Sequence, residues 1–335
     1  MYNLSKYRTE LMGFAILWIF FFHSNIDIPE FLAPFKFVKA IGYSGADIFF
    51  LLSGLGLSFS ISKNSSFVQF YKKRLKRIIP TFWVCLFFYA LADIWLEKFH
   101  IKTFLLSIVG LDFLILGIRE TWFIPSILIC YFFFPAYYSL SVRYEFKRIL
   151  LIFSFAAIFF SVLIPITKPS LWYLLYFTLR IPIFVFGSYI GLLLVHKNTN
   201  SVLNNLYVNG ILFFLSLVAL IFIIQNAGPV LKGWTQLNLY AVMFMTFPMS
   251  MLVSHLLTKV ELKTLFVSKI LRLFGCYSLQ IYLIHNIFFK LSDKLPLKDF
   301  GWNLYRLPEN LIYLMCSLSL SIILIKGLRK LGLAS

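Results

Sequence analysis

Residues Leu11–His23 read LMGFAILWIFFFH, an apolar run that closes on an imidazole. Arg8 and Glu10 stand at the foot of the run, and no charge lies between Leu11 and Phe22. Such a segment predicts a membrane helix. Ionisable side chains are costly in hydrocarbon, so His23 is by default a candidate functional residue. Comparable runs recur from end to end. The 335 residues are 60% hydrophobic and 13% charged, against roughly 25% charged in an average soluble domain. The pattern predicts an all-α polytopic membrane protein, with residues 1–335 forming a single integral membrane domain. Nothing between the apolar runs is long enough for a second domain. No A-x-A-like site follows the first run, so it is expected to stay as a helix.

Spans are placed at Leu11–Ile26, Ile41–Ile61, Ile79–Trp95, Trp122–Leu140, Ile149–Ile166, Trp172–Val195, Leu206–Gln225, Gln236–Leu256, Ile270–Lys290 and Asn310–Ile325, ten in all. The net charge of +18 would suit a nucleic-acid binder, but topology explains it. Lys6, Arg8, Lys72–Arg77, Arg143–Arg148, Lys197, Lys259–Arg272 and Lys326–Lys330 all fall on one side of the spans. Cytoplasmic loops carry the Lys/Arg excess, which puts both termini in the cytoplasm. The stretch Ile101–Ile118 (IKTFLLSIVGLDFLILGI) is also apolar. Were it to cross, every later basic loop would move outside. It is therefore read as an external interfacial or re-entrant segment, which Gly110, Asp112 and Gly117 suit.

Cys85, Cys130, Cys276 and Cys316 lie within spans at no metal-ligand spacing, and read as small packing residues. No P-loop, dinucleotide fingerprint or GxSxG elbow is present. The polar residues inside the spans are more telling. His23 lies near the outer end of the first span. Asp47 and Arg180 lie about two turns into spans that enter from outside, and His285 lies in the last turns of a span that leaves toward it. The shared depth suggests one cavity in the outer half of the bilayer. For Arg180 the alternative is snorkelling to the headgroups. For His285 it is an interfacial ring bonded to a backbone carbonyl.

An imidazole is the natural general base at neutral pH. A carboxylate such as Asp47 at its other nitrogen would fix the tautomer, and Arg180 could stabilise an oxyanion. This set suits acyl transfer to a hydroxyl. It also suits a proton relay in a transporter. On the cytoplasmic side, FYKKRLKRIIP sets Lys73, Arg74 and Arg77 before span three. Arg74 and Arg77 are three apart and share a helix face. They can anchor to anionic lipid or clamp phosphates in bidentate fashion, as a coenzyme would require.

Taken in order, six segments resemble the bacterial acyltransferase-3 family of ten-span membrane acyltransferases, over nearly the whole chain. They are ELMGFAILWIFFFH, then GYSGADIFFLLSGLGLS (Gly42–Ser58), FYKKRLKRIIPTFW, WFIPSILICYFFFP (Trp122–Pro135), RIPIFVFGSYIG (Arg180–Gly191) and FGCYSLQIYLIH (Phe274–His285). The second, matching G-x-x-G-x-D-I-F-F-x-L-S-G, is the most specific. The resemblance implies transfer of an acyl group, most often acetyl, from cytoplasmic acyl-CoA to a hydroxyl of an extracytoplasmic or lipid-linked glycan, in the bacterial cytoplasmic membrane. It implies that His23 is the essential histidine and that Arg74 and Arg77, with Lys73 beside them, handle the coenzyme. Asp47 carries over from the same match, as do Ser53 and Gly54, with Gly54 allowing close helix approach. Arg8, Glu10, Arg180, Tyr282 and His285 are expected to support the site, and no metal is expected.

Two departures stand out. The family's arginine, eleven residues before the histidine, is Met12 here. Arg8 lies one turn below Met12, about 40° round the helix, and is the candidate substitute. The family's glutamate after the fourth-span tryptophan is replaced by Ile127, between Ser126 and Leu128. Pro125 is expected to break that helix locally. Some relatives carry a further SGNH hydrolase-like domain. The chain ends soon after the last span, at Ser335, so it is expected to transfer the group alone or through a separate partner. The competing readings are a proton-coupled transporter or flippase of a glycan or lipid, and a scaffold without chemistry. The acceptor, the acyl group, and direct transfer against an acyl-histidine intermediate stay open.

Overall fold

The computed structural model describes residues 1–63, 66–198, 200–226, 236–263, 265–292, 294 and 306–333. Ser335 lies outside them. Every regular element among the described residues is helical. The chain opens with α1 (Tyr2–Lys6), α2 (Arg8–His23) and the short α3 (Ala33–Ala40). Then come α4 (Gly45–Lys63), α5 (Phe67–Trp95), α6 (Ile101–Ile108), α7 (Asp112–Leu116), α8 (Phe123–Tyr144) and α9 (Phe146–Thr167). After α10 (Leu175–Thr178), α11 (Arg180–Val195) and α12 (Ser201–Asn204) follow α13 (Leu206–Asn226), α14 (Leu237–Lys263), α15 (Leu265–Cys276), α16 (Ser278–Leu291) and α17 (Leu307–Lys330).

Among the described residues, eight helical stretches are long and apolar enough to cross a membrane, and α15 with α16, bent by 76°, makes up to nine. The expected first span is shorter. α2 has 16 residues, which rise about 24 Å against a hydrocarbon core of about 30 Å. The chain is thus a multi-pass membrane protein, and the ten expected spans become eight long stretches, one bent pair and the short α2. Ile101–Ile118 breaks into α6 and α7, of 8 and 5 residues. These rise only about 12 Å and 7.5 Å, so neither crosses. Gly110 and Gly117, at φ +73° and +70°, make the turns that end them.

The lipid-facing helices are inverted relative to soluble ones. On α13, Phe214, Leu215 and Phe222 are exposed while Asn209 is buried. On α9, Phe155, Phe159 and Phe160 face outward while Ala157 and Ser161 are buried. Lipid tails solvate apolar side chains, so small and polar residues are left for helix contacts. Pro125 does not break α8. It is the third residue of that helix, where its missing N–H has no intrahelical partner to lose.

The chain packs as two compact units interleaved in sequence. One comprises Met1–Leu11, Ala46–Phe70 and Ser126–Ile270, the other Met12–Gly45, Tyr71–Pro125 and Leu271–Ser335. In the first, α4 and α11 meet backbone to backbone. A Cβ on Gly54 would lie 2.0 Å from the Phe184 carbonyl oxygen, and one on Gly187 would lie 2.0 Å from that of Leu51. Ser58 and Ser188 hydroxyls hydrogen-bond across the same seam at 2.9 Å. The expected close approach at Gly54 is thus made to α11. In the second unit, α16 packs along α17, and Trp18 Nε1 donates to the Val38 carbonyl at 2.8 Å.

Candidate active site

In the second unit, His23 is the last residue of α2 and His285 lies on α16. The two rings meet edge to face, with centroids 5.1 Å apart. Nδ1 of His23 lies 3.0 Å from the Ile19 carbonyl oxygen and 3.3 Å from Nε2 of His285. Nδ1 of His285 lies 2.8 Å from the Ile281 carbonyl oxygen. These contacts assign the protons. A carbonyl only accepts, so each Nδ1 carries hydrogen when the rings are neutral. Nε2 of His285 is then a lone-pair acceptor facing the His23 Nδ1–H. By elimination, Nε2 of His23 holds that ring's free lone pair. His285 is wholly buried and His23 half-buried. Tyr282 lies one turn before His285, its ring 5.9 Å from the imidazole and 5.1 Å from Phe123.

In the first unit, Asp47 sits in the first turn of α4, and Arg180 opens α11. Arg180 Nη2 donates to Asp47 Oδ2 at 2.9 Å, and both side chains are 1% exposed. The guanidinium also lies 5.7 Å from the Tyr176 ring centroid. Arg180 therefore does not snorkel. A cation at a helix N-terminus opposes the helix dipole, and the carboxylate offsets it. An orienting bond is expected from Asp47 to His23; the hydrogen bonds that the structure gives these residues lie within their own units. Asp47 is given to Arg180, and the orientation of His23 falls to the Ile19 carbonyl and to His285. A buried guanidinium needs an anion beside it, and Asp47 supplies it to Arg180.

The residues expected to support the site are also placed. Arg8 Nε donates to the Leu52 carbonyl at 3.1 Å. Its guanidinium lies over Gly56, where a Cβ would come within 2.3 Å of Arg8 Cζ. Next to Leu52, the buried Ser53 hydroxyl accepts from Tyr131 Oη at 3.3 Å. Glu10 is buried and accepts from Ser268 Oγ at 3.4 Å. Ile127 and Ser126 are buried in α8.

Lys73, Arg74 and Arg77 lie in the first turns of α5, in the second unit. α5 has 29 residues and rises about 43 Å, more than the hydrocarbon core. Its basic start therefore projects past the apolar part, which begins near Pro80. Lys73 and Arg77 are exposed and Arg74 is half-buried.

The sequence model of one family, described as an acyltransferase domain, matches residues 11–326. The chain belongs to the acyltransferase-3 family. It is a membrane acyltransferase. No curated protein and no solved structure matches the chain. Within the family frame, the histidine pair is the part that sequence reasoning missed. His23 and His285 were each singled out, but only their depth suggested that they belong together. A second omission is the ion pairing of Lys290 with Asp93 and Glu120. Its one sequence signal was a lysine closing an apolar span.

Proposed function

We propose that this acyltransferase moves an acyl group, acetyl in the simplest case, from cytoplasmic acyl-CoA to a hydroxyl of a cell-surface or lipid-linked glycan, in a bacterial cytoplasmic membrane. The reading is carried by the fixed tautomer of His23, whose Nε2 lone pair is held ready by the contacts at Nδ1. In the direct mechanism, Nε2 takes the proton of the acceptor hydroxyl as its oxygen attacks the thioester carbonyl. The C–S bond breaks, the ester forms, and the proton leaves with the coenzyme thiolate. The positive charge on the His23 ring is met through Nδ1–H by the Ile19 carbonyl and the His285 lone pair. A general base in this position is worth about 10²–10⁴ in rate. Lys73, Arg74 and Arg77 would hold the coenzyme phosphates, and the pantetheine arm would enter the bundle from that side.

The test is purified protein in lipid nanodiscs with labelled acetyl-CoA and a glycan fraction. Label on the glycan, lost in His23→Ala, together with protection of Arg74 and Arg77 by the coenzyme, supports the reading. A hydrogen-bonded histidine pair also suits a proton relay. Proton-driven glycan flux without acyl transfer would therefore replace the enzyme with a transporter or flippase.

A further inference from the structure

α6 and α7, with the last turns of α5, line a small cleft of about 50 Å³ that opens to solvent. All of its lining belongs to the second unit. The charge pattern puts this end of α5 on the outer side. Three carboxylates face the cleft, those of Asp93, Asp112 and Glu120. Two of them are already paired, because Lys290 Nζ lies 2.6 Å from Asp93 Oδ1 and 2.9 Å from Glu120 Oε2. Asp112 differs. It is 1% exposed, and its Oδ2 accepts from Ser107 Oγ and Thr121 Oγ1, each at 2.8 Å. Its Oδ1 is buried and has no hydrogen-bond partner among the described residues. A buried carboxylate oxygen left unsatisfied is disfavoured, so this atom calls for a donor that the described residues do not supply.

The surroundings narrow the donor. Lys98 also lines the cleft, so with Lys290 two cations stand against three carboxylates, and the remaining negative charge disfavours phosphate and sulfate. Phe99 and Phe104, with ring centroids 5.7 Å apart, add apolar wall. Apolar walls with a few convergent polar groups are the usual make-up of a small-molecule site. A neutral ring with hydroxyls on its edge and C–H groups on its face matches both features. Lys290 lies on α16, five residues after His285, about 7.5 Å along the helix. The cleft is therefore tied to the helix that carries the buried histidine.

We propose that this cleft is a saccharide subsite, in which a sugar hydroxyl donates to Asp112 Oδ1 and the ring lies against Phe99 and Phe104. Calling the sugar part of the acceptor rests on the acyl-transfer reading; the binding itself does not. The experiment uses the full chain in nanodiscs, with methyl glycosides of glucose, galactose, mannose and N-acetylglucosamine as probes. Saturation-transfer-difference NMR reads binding, and labelled acetyl-CoA in parallel reads transfer. Saturation transfer to at least one glycoside is expected, falling at least fivefold in Asp112→Asn, which keeps an acceptor for Ser107 and Thr121. Thr103→Trp, which fills the cleft from α6, is expected to give the same loss and carries the test should Asp112→Asn fail to fold. No saturation transfer to any of the four, or transfer unchanged in both variants, overturns the proposal. Binding without acetylation leaves the subsite standing and overturns acyl transfer to these sugars. Acetylation with binding indifferent to both variants does the reverse.

Discussion

Nε2 of His285 faces Nδ1 of His23 across 3.3 Å, while each Nδ1 also lies within hydrogen-bonding distance of the carbonyl four residues before it. One ring thus anchors the other, and the anchor is itself pinned to its helix. His23→Ala is expected to lower the acyl-transfer rate by about 10²–10⁴. His285→Ala is expected to cause a smaller loss in kcat, with KM for acyl-CoA unchanged. His285→Gln, which restores an acceptor, should recover part of it. Steady-state kinetics on purified variants decides. A raised KM for His285→Ala, with kcat intact, would assign that ring to substrate binding instead.

Asp47 and Arg180 share one buried hydrogen-bonded ion pair. Removing one partner of such a pair costs about 3–5 kcal/mol, because the other charge stays buried. Asp47→Ala should therefore destabilise the protein by that order. Replacing both, as Asp47→Ala with Arg180→Met, should recover most of the loss. Unfolding in detergent followed through a double-mutant cycle measures the coupling. Additive effects of the two changes would show that the pair is not a unit.

The seam between α4 and α11 has no room for a side chain at Gly54, where a Cβ would meet backbone rather than a mobile side chain. Gly54→Ala is expected to cost about 1–3 kcal/mol through overpacking. A lowered unfolding midpoint in detergent is the readout. A midpoint equal to that of the parent would mean that the helices separate freely.

Charge-assisted hydrogen bonds are worth about 1.5–3 kcal/mol each. Arg74→Ala and Arg77→Ala should each raise KM for acetyl-CoA about 10–100-fold by that measure, with salt weakening the parent in the same direction. Lysine at Arg77 should restore less than the original arginine, since it lacks the planar fork. If both variants keep the parent KM, the cluster serves as a lipid anchor alone.

Arg8 reaches α4 at Leu52 and Gly56, next to Ser53. If it stands in for the charge absent at Met12, Arg8→Ala lowers the transfer rate and Met12→Arg in that background restores it. Unchanged activity in Arg8→Ala removes the substitution idea.

Much of this was legible in the chain. Apolar runs such as Leu11–Phe22 cannot be solvated by water, so their number and spacing alone dictate a multi-pass helical protein. The glycines and acid of Ile101–Ile118 argued against a crossing, and that segment folds as two short helices. Gly54 announced a close helix contact, because only a residue without Cβ allows one. Depth along each span suggested a common level for His23, Asp47, Arg180 and His285, since helix rise is constant; the fold pairs His23 with His285 and Asp47 with Arg180.

What sequence could not decide was pairing. Depth is one coordinate, while a hydrogen bond depends on which helices lie side by side and how each is rotated. Asp47 at the right depth looked like the partner of His23. In the fold, the glycine seam of α4 and α11 carries Arg180 to Asp47, and α16 carries His285 to His23. Asp112 shows the same limit. Its place in a segment that does not cross was readable, but no spacing showed that Ser107 and Thr121 both turn toward Oδ2 and leave Oδ1 without a partner among the described residues. Composition and periodicity therefore determined that this chain enters the membrane and roughly where its polar groups lie. Helix packing alone decided which of them meet, because side-chain hydrogen bonds act over about 3 Å, and no spacing along the chain specifies contacts between distant helices to that precision.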